Sequence, residues 1–175
     1  WTGRLPPRGE PGIRSSVVTA RFPFVKGHGT ENDFVLLPDL DGDLHPELSP
    51  ETVRRLTDRY AGLGADGVIR VVRSEAIADG KGQAERAEWF MDYRNADGSV
   101  AEMCGNGVRV LARYLWLSGL AHGPVLPIAT RGGVRTVHAD PDGTMTVEMG
   151  HATPPRSRAL AFVNVGERNW PAVPV

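Results

Sequence analysis

Cysteine is almost missing from this sequence: Cys104 stands alone in 175 residues. That excludes an internal disulfide framework and any structural zinc site built on paired cysteines. An excess of either charge is missing too, since 20 basic and 21 acidic residues leave a net charge of −1. With no global field to draw a polyanion, nucleic acid is not expected as a partner. No apolar run reaches the length of a membrane span, so no membrane partner is expected either. The histidines His28, His45, His122, His138 and His151 are scattered without ligand spacing, and no metal site is expected. What is present, 41% hydrophobic and 23% charged residues, is ordinary for a soluble globular chain long enough to bury a core. A cytoplasmic protein with one thiol to explain is the expectation.

The two ends are unlike the middle. The chain opens on Trp1, and its first methionine is Met91. Residues 1–21 hold Pro6, Pro7 and Pro11, Gly3, Gly9 and Gly12, and four arginines against one acid. No helical or strand period runs through them, so they are expected to be a disordered or non-native extension, with a natural start at Val17 or Val18. The chain stops at Val175 inside an apolar, strand-like run.

Between these ends, strands and helices are punctuated clearly. After a short apolar stretch at 22–25, the polar segment Gly27-His28-Gly29-Thr30-Glu31-Asn32-Asp33 is expected to be a loop. Phe34-Val35-Leu36-Leu37 follows as a buried strand ended by Pro38. Ser49-Pro50-Glu51 is a helix start, and Val53, Leu56 and Tyr60 keep helical spacing until Gly62. Residues 68–72 read as a strand, 78–82 as a loop, and the alternation of Trp89, Met91 and Tyr93 as another strand. Asn95-Ala96-Asp97-Gly98-Ser99 has the chemistry of a tight turn. Val108, Leu111, Ala112 and Leu115 mark one apolar face of a helix, capped by Gly119, with Arg109 and Arg113 on its solvated side. Short strands are expected at 125–130, 135–138 and 144–149. The mixture lacks regular βαβ alternation and points to an α+β fold.

Cys104 lies just before that helix, followed by Gly105, Asn106 and Gly107. The free N–H groups and the positive end of the helix dipole favour a thiolate there and can hold an anion such as a carboxylate. The glycines let a ligand approach the backbone. A thiolate beside a bound carboxylate is a base for the proton next to that carboxylate. A lone cysteine is more commonly a small buried hydrophobe, but a core cysteine does not need flanking glycines. Asn32 and Asn95 each have two readings: an amide that fixes a polar substrate, or one that closes its own turn, the commoner role. His28 shares the Asn32 segment and is the one credible partner for a cysteine acyl-transferase.

Four segments, Gly29-Thr30-Glu31-Asn32-Asp33-Phe34, Gly62-Leu63-Gly64-Ala65-Asp66-Gly67, Asn95-Ala96-Asp97-Gly98-Ser99 and Met103-Cys104-Gly105-Asn106-Gly107, occur in the order and approximate spacing of diaminopimelate epimerase. From about Phe22 to Val175 the sequence resembles that family. The resemblance implies a mixed sheet wrapped around a central helix, the first of two pseudo-symmetric domains. Residues 22–128 would form that first domain and 129–175 the incomplete start of the second. It implies a cofactor-independent epimerase of lysine biosynthesis that interconverts LL- and meso-2,6-diaminopimelate using two cysteines on opposite faces of the α-carbon. By resemblance Cys104 is one of that pair, Gly105 and Asn106 contact the α-carboxylate, and Asn32 and Asn95 contact the substrate's polar groups. Family members often pair, so a homodimer is the expected full-length assembly.

The departures are equally specific. The family's second cysteine, its Gly-Asn-Pro-His segment and the arginine that grips the distal end of the substrate are absent. Residues 163–170 resemble the sequence just upstream of Gly-Asn-Pro-His. Gly67 stands where many relatives carry a substrate-binding Gln. With one thiol, a proton can leave and return on one face only, so this chain alone is expected to be inactive or nearly so. The competing readings are a related cofactor-independent racemase, the acyl-transferase, and a non-catalytic amino-acid-binding remnant.

Overall fold

Seven strands join in sequence order into one sheet, and the connections decide its character. The computed structural model describes residues 23–45 and 48–150 and the backbone of 164–165 and 168–169. The expectations for residues 1–21 and for the side chains of 163–170 lie outside the described residues. Strands β1 (Val25–Gly29) and β2 (Asn32–Pro38) form an antiparallel hairpin. Helix α1 (Pro50–Thr57) carries the chain to β3 (Gly67–Arg73), which runs parallel to β2. Strand β4 (Trp89–Asn95) returns antiparallel. Helix α2 (Gly105–Leu117) then crosses to β5 (Val125–Ala129), parallel to β4, and β6 (Arg135–Ala139) and β7 (Met145–Glu148) follow as a meander. The two parallel pairs are those that need a crossover helix; the other neighbours reach one another through turns and loops. The result is α+β, as the sequence implied. A separate backbone pairing joins β8 (Asn164–Val165) to β9 (Arg168–Asn169).

The sheet curls around α2, which packs against strands from β1 through β7. Its Val108, Val110, Leu111, Ala112 and Leu115 meet Phe34, Leu36, Ile69, Val71, Met91, Ile128 and Val137 in the main core. Gly27 and Gly29 let β1 close on the helix: a Cβ at Gly29 would lie 3.2 Å from the Asn106 carbonyl oxygen and from Val110. On the outer face, α1 covers Val35, Leu37 and Val68 through Val53 and Leu56, while Phe90 and Val72 form a smaller cluster with Ala87 and Ala129. Both faces of β3 are therefore buried, which is why it reads as an unbroken apolar run. That outer face also holds Asp92, fully buried, which accepts from Arg131 at 2.8 Å and Arg94 at 3.1 Å. The outer edges of β1 and β7 are unpaired among the described residues. A cleft of about 770 Å³ beside α2 is lined by Val25, Leu36, Val110, Tyr114 and Met145.

Three expectations need correction. Residues 27–33 are not a loop but most of the β1–β2 hairpin. Its register pairs Gly29 with Asn32, leaving Thr30 and Glu31 as a two-residue turn with φ of 56° and 66°. Two left-handed residues suit the twist of a hairpin, but the Asn-Gly or Asp-Gly that usually announces such a turn is absent. Tyr60 does not extend the helix: α1 ends at Thr57, and the Asp58 carboxylate captures the N–H groups of Tyr60 and Ala61 at 2.7 and 2.8 Å. The segment 78–82 includes part of a 3-10 turn, Lys81–Gln83.

Glu31 makes no side-chain hydrogen bond among the described residues and sits in a conformation unfavourable to an L side chain by about 1–2 kcal/mol. Glu31→Gly should therefore stabilise the protein by about 1 kcal/mol in urea unfolding, after the entropy Gly adds to the unfolded chain is discounted. An unchanged or lower stability would show that the turn is not strained.

Candidate active site

The parallel and antiparallel registers bring the start of β2, the start of β3 and the end of β4 together. Phe34 lies beside Gly67, and Gly67 beside Asn95. The N-terminus of α2 sits over this end of the sheet because Gly107 is buried there, its Cβ position 3.2 Å from Ile69 Cδ1 and 3.7 Å from Met91 Sδ. The absence of a side chain at Gly107 thus serves helix–sheet packing. Gly105 is half-buried, with Met149 3.4 Å from its Cβ position.

Cys104 is the residue at the helix N-cap. Its side chain caps nothing, while its carbonyl accepts the N–H of Val108 at 2.9 Å. The N–H groups of Gly105, Asn106 and Gly107 consequently have no acceptor among the described residues, and they lie at the positive end of the dipole. The thiol is half-buried, and Cys104 Sγ lies 3.7 Å from Asn32 Oδ1, the S–H donating. Asn106 Nδ2 donates to the same oxygen at 3.5 Å. The structure therefore brings Asn32, Cys104 and Asn106 together.

Asn32 is held by groups the sequence reading passed over. Its Nδ2 donates to Asp66 Oδ2 at 2.6 Å, which turns the amide oxygen towards the thiol. Asp66 also accepts the Asp33 N–H at 3.0 Å, and Asp33 accepts the Asp66 N–H at 3.1 Å, so the two loops brace each other. Arg59 bridges both carboxylates, at 2.8 Å to Asp33 and 2.7 Å to Asp66, and Lys26 reaches Asp33 at 2.6 Å. The Arg59 hydrogen bond, helped by Lys26 and opposed by burial, holds the Asp33 carboxyl well below the usual carboxylate range. On the far side, Arg109 donates to Asn106 Oδ1 and, at 2.8 Å, to Thr30 Oγ1. Arg109 is thus a strut between the helix and the hairpin turn, not only part of a solvated face. Asp33 and Asp66 each lie inside a quoted motif next to a glycine-rich turn, and that placement was the signal available for them.

Asn95 behaves differently. Its Nδ2 donates to Ser99 Oγ at 2.9 Å, closing its own turn, and no hydrogen bond joins it to Cys104. Gly98 takes φ of 87° in that turn, as expected. His28 is exposed and lies between Gly27 and Gly29, whose Cβ positions face α2, so strand alternation turns it to the other side of β1. The arrangement gives no support to a Cys–His pair. No group of three or more metal-ligating side chains occurs among the described residues. Among them, no helix is long and apolar enough to cross a membrane.

Because Asp33 is more acidic in the folded chain than its unfolded value near about 3.9, its bridges contribute stability that is complete above about pH 4 and is lost as the pH falls below it. Asp33→Asn should lower the melting temperature at pH 7, and the gap from the unsubstituted protein should narrow between pH 5 and pH 2. A gap independent of pH would contradict the bridge.

The family model for diaminopimelate epimerase matches residues 24–154. A diaminopimelate epimerase of Streptomyces coelicolor is 56% identical over 155 residues, 89% of this chain and 52% of that protein. One of Thermobifida fusca is 60% identical over 131 residues, 73% of this chain and 47% of that protein. The chain spans about half the length of the curated relatives it matches. Among solved structures, a hydroxyproline epimerase from Agrobacterium vitis aligns with a TM-score of 0.49 at 15% identity, covering 71% of this chain and 39% of that one. A family model that spans residues 24–154, with relatives 56% and 60% identical over most of its length, settles the relationship: the chain belongs to the diaminopimelate epimerase family.

Proposed function

We propose that this chain carries one catalytic half of a cofactor-independent epimerase acting on 2,6-diaminopimelate in lysine biosynthesis. The observation that carries the reading is the Cys104 thiol at the head of α2, beside three N–H groups without acceptors and the braced Asn32 oxygen. The α-carboxylate of the substrate binds the N–H groups of Gly105 and Asn106, where the helix dipole favours it. Cys104, as thiolate, takes the α-proton; the electron pair left on the α-carbon spreads into that carboxylate, whose negative charge the same N–H groups stabilise. Asn32 and Asn95 contact the substrate's remaining polar groups. No cofactor enters the scheme. The protein acts in the cytoplasm, and residues 22–128 form the lobe that holds Cys104.

Inversion needs a proton delivered to the opposite face of the α-carbon, and Cys104 is the single cysteine in these 175 residues. The chain by itself can therefore return a proton only to the face it came from. In deuterium oxide, the 175-residue chain is expected to convert little or no LL- to meso-diaminopimelate. The whole gene product should do both exchange and inversion, and Cys104→Ala should lower its rate by at least about a thousandfold. A Cys104→Ala variant that retains its epimerase rate would rule out this role. Turnover of another amino acid in preference to diaminopimelate would move the assignment to a related racemase.

A further inference from the structure

We infer that the Tyr93 hydroxyl is a further substrate contact of this site, donating a hydrogen bond to the carboxylate held at the head of α2. The inference deepens the epimerase reading and rests on its placement of an anion there.

The geometry begins at Gly67. A Cβ at this position would lie 2.6 Å from Tyr93 Cε2, 2.6 Å from the Arg94 carbonyl oxygen and 3.1 Å from the Tyr93 hydroxyl. No side chain fits, because the tyrosine already fills the space. Gly67 lies beside Asn95 and Ile69 beside Tyr93, so Tyr93 points to the face of the sheet that carries α2 and Cys104. Its ring is locked there, edge-on to Phe34 with centroids 5.9 Å apart and an interplanar angle of 74°. The residue is only 6% exposed, and its hydroxyl has no hydrogen-bond partner among the described residues. The hydroxyl is not among the fully enclosed polar atoms left without a partner, so it reaches solvent and is open to a ligand.

The surroundings say what kind of ligand group suits it. Burial foremost, and then the charges of Cys104, Asp66 and Asp97, push the phenol up to about 12, so it remains a donor at neutral pH. Tyr93 and Cys104 lie against the same core cluster, and the thiol's hydrogen bond among the described residues goes to Asn32. The donor is left for a ligand. A carboxylate on the α2 N–H groups satisfies that donor. The fixed ring makes Tyr93 a rigid post, with no rotamer freedom to lose on binding.

Alkylation of Cys104 by iodoacetamide, with diaminopimelate as the protecting ligand, tests this in the whole gene product. In the unsubstituted protein diaminopimelate slows alkylation. Tyr93→Phe keeps the ring against Phe34 and removes only the hydroxyl; it should raise the half-protecting concentration about tenfold or more, the usual effect of losing a hydrogen bond to a charged group. The melting temperature and the pH dependence of alkylation without ligand should not change. Equal protection of the two proteins overturns the inference, and so does a ligand-free alkylation profile that shifts with the substitution, because the hydroxyl then acts on the thiol. Absence of protection in either protein overturns it as well, since no carboxylate would lie beside the hydroxyl. Failure of the epimerase reading looks different: protection occurs and weakens in Tyr93→Phe, but the α-hydrogen of diaminopimelate does not exchange.

Discussion

Enclosure of α2 by a single curled sheet is the constraint on which the rest of the structure depends. The helix has one strongly apolar side, yet strands from both ends of the sheet reach it. A sheet can wrap a helix that closely only where side chains are small at the points of nearest approach. Gly27 and Gly29 meet that need on β1, and Gly107 meets it on the helix itself. A side chain at any of the three would crowd the contact between helix and sheet, and the head of the helix is where Cys104 sits. Packing and chemistry are therefore coupled at the same residues.

The polar framework around the thiol runs as a chain of fixed amides and charges. Asp33 and Asp66 lock two loops together, Arg59 and Lys26 balance their charge, and Asp66 sets the orientation of the Asn32 amide. Arg109 continues the chain from Asn106 to Thr30. Such a framework holds the acceptor beside Cys104 without using the N–H groups of α2, which stay available to an anion. A helix terminus left this way is unfavourable unless water or a ligand satisfies it, and that cost is what makes the site receptive.

The matched relatives are about twice as long as this chain, and the chemistry gives that fact meaning. In the proposed scheme, one thiol at one helix terminus accounts for proton removal from one face. Inversion requires a second acid positioned opposite. What these residues build is a thiol at a helix terminus whose first N–H groups have no acceptor among the described residues.

Much of this was legible in the sequence because it depends on near neighbours. Ser49 and Pro50 start α1, Gly98 turns the chain after β4, and the spacing of Val108, Leu111, Ala112 and Leu115 defines the buried face of α2. The placement of Cys104 before two glycines likewise marked a helix terminus suited to an anion. The hairpin at Thr30 and Glu31 was not legible, because its left-handed turn is imposed by pairing of β1 with β2 and by the Arg109 strut, not by the usual turn residues. The same holds for the site's supporting cast. Asp66 reaches Asn32 across 34 positions, and Tyr93 fills the space at Gly67 only because β3 and β4 pair in one particular register. The sequence alone determined most of the elements and the place of the lone thiol at a helix start, since caps and periods act locally. Only the tertiary structure decided that the Asn32 amide meets that thiol and that Asp66 holds the amide, because strand register and sheet curvature bring together residues that the chain keeps far apart.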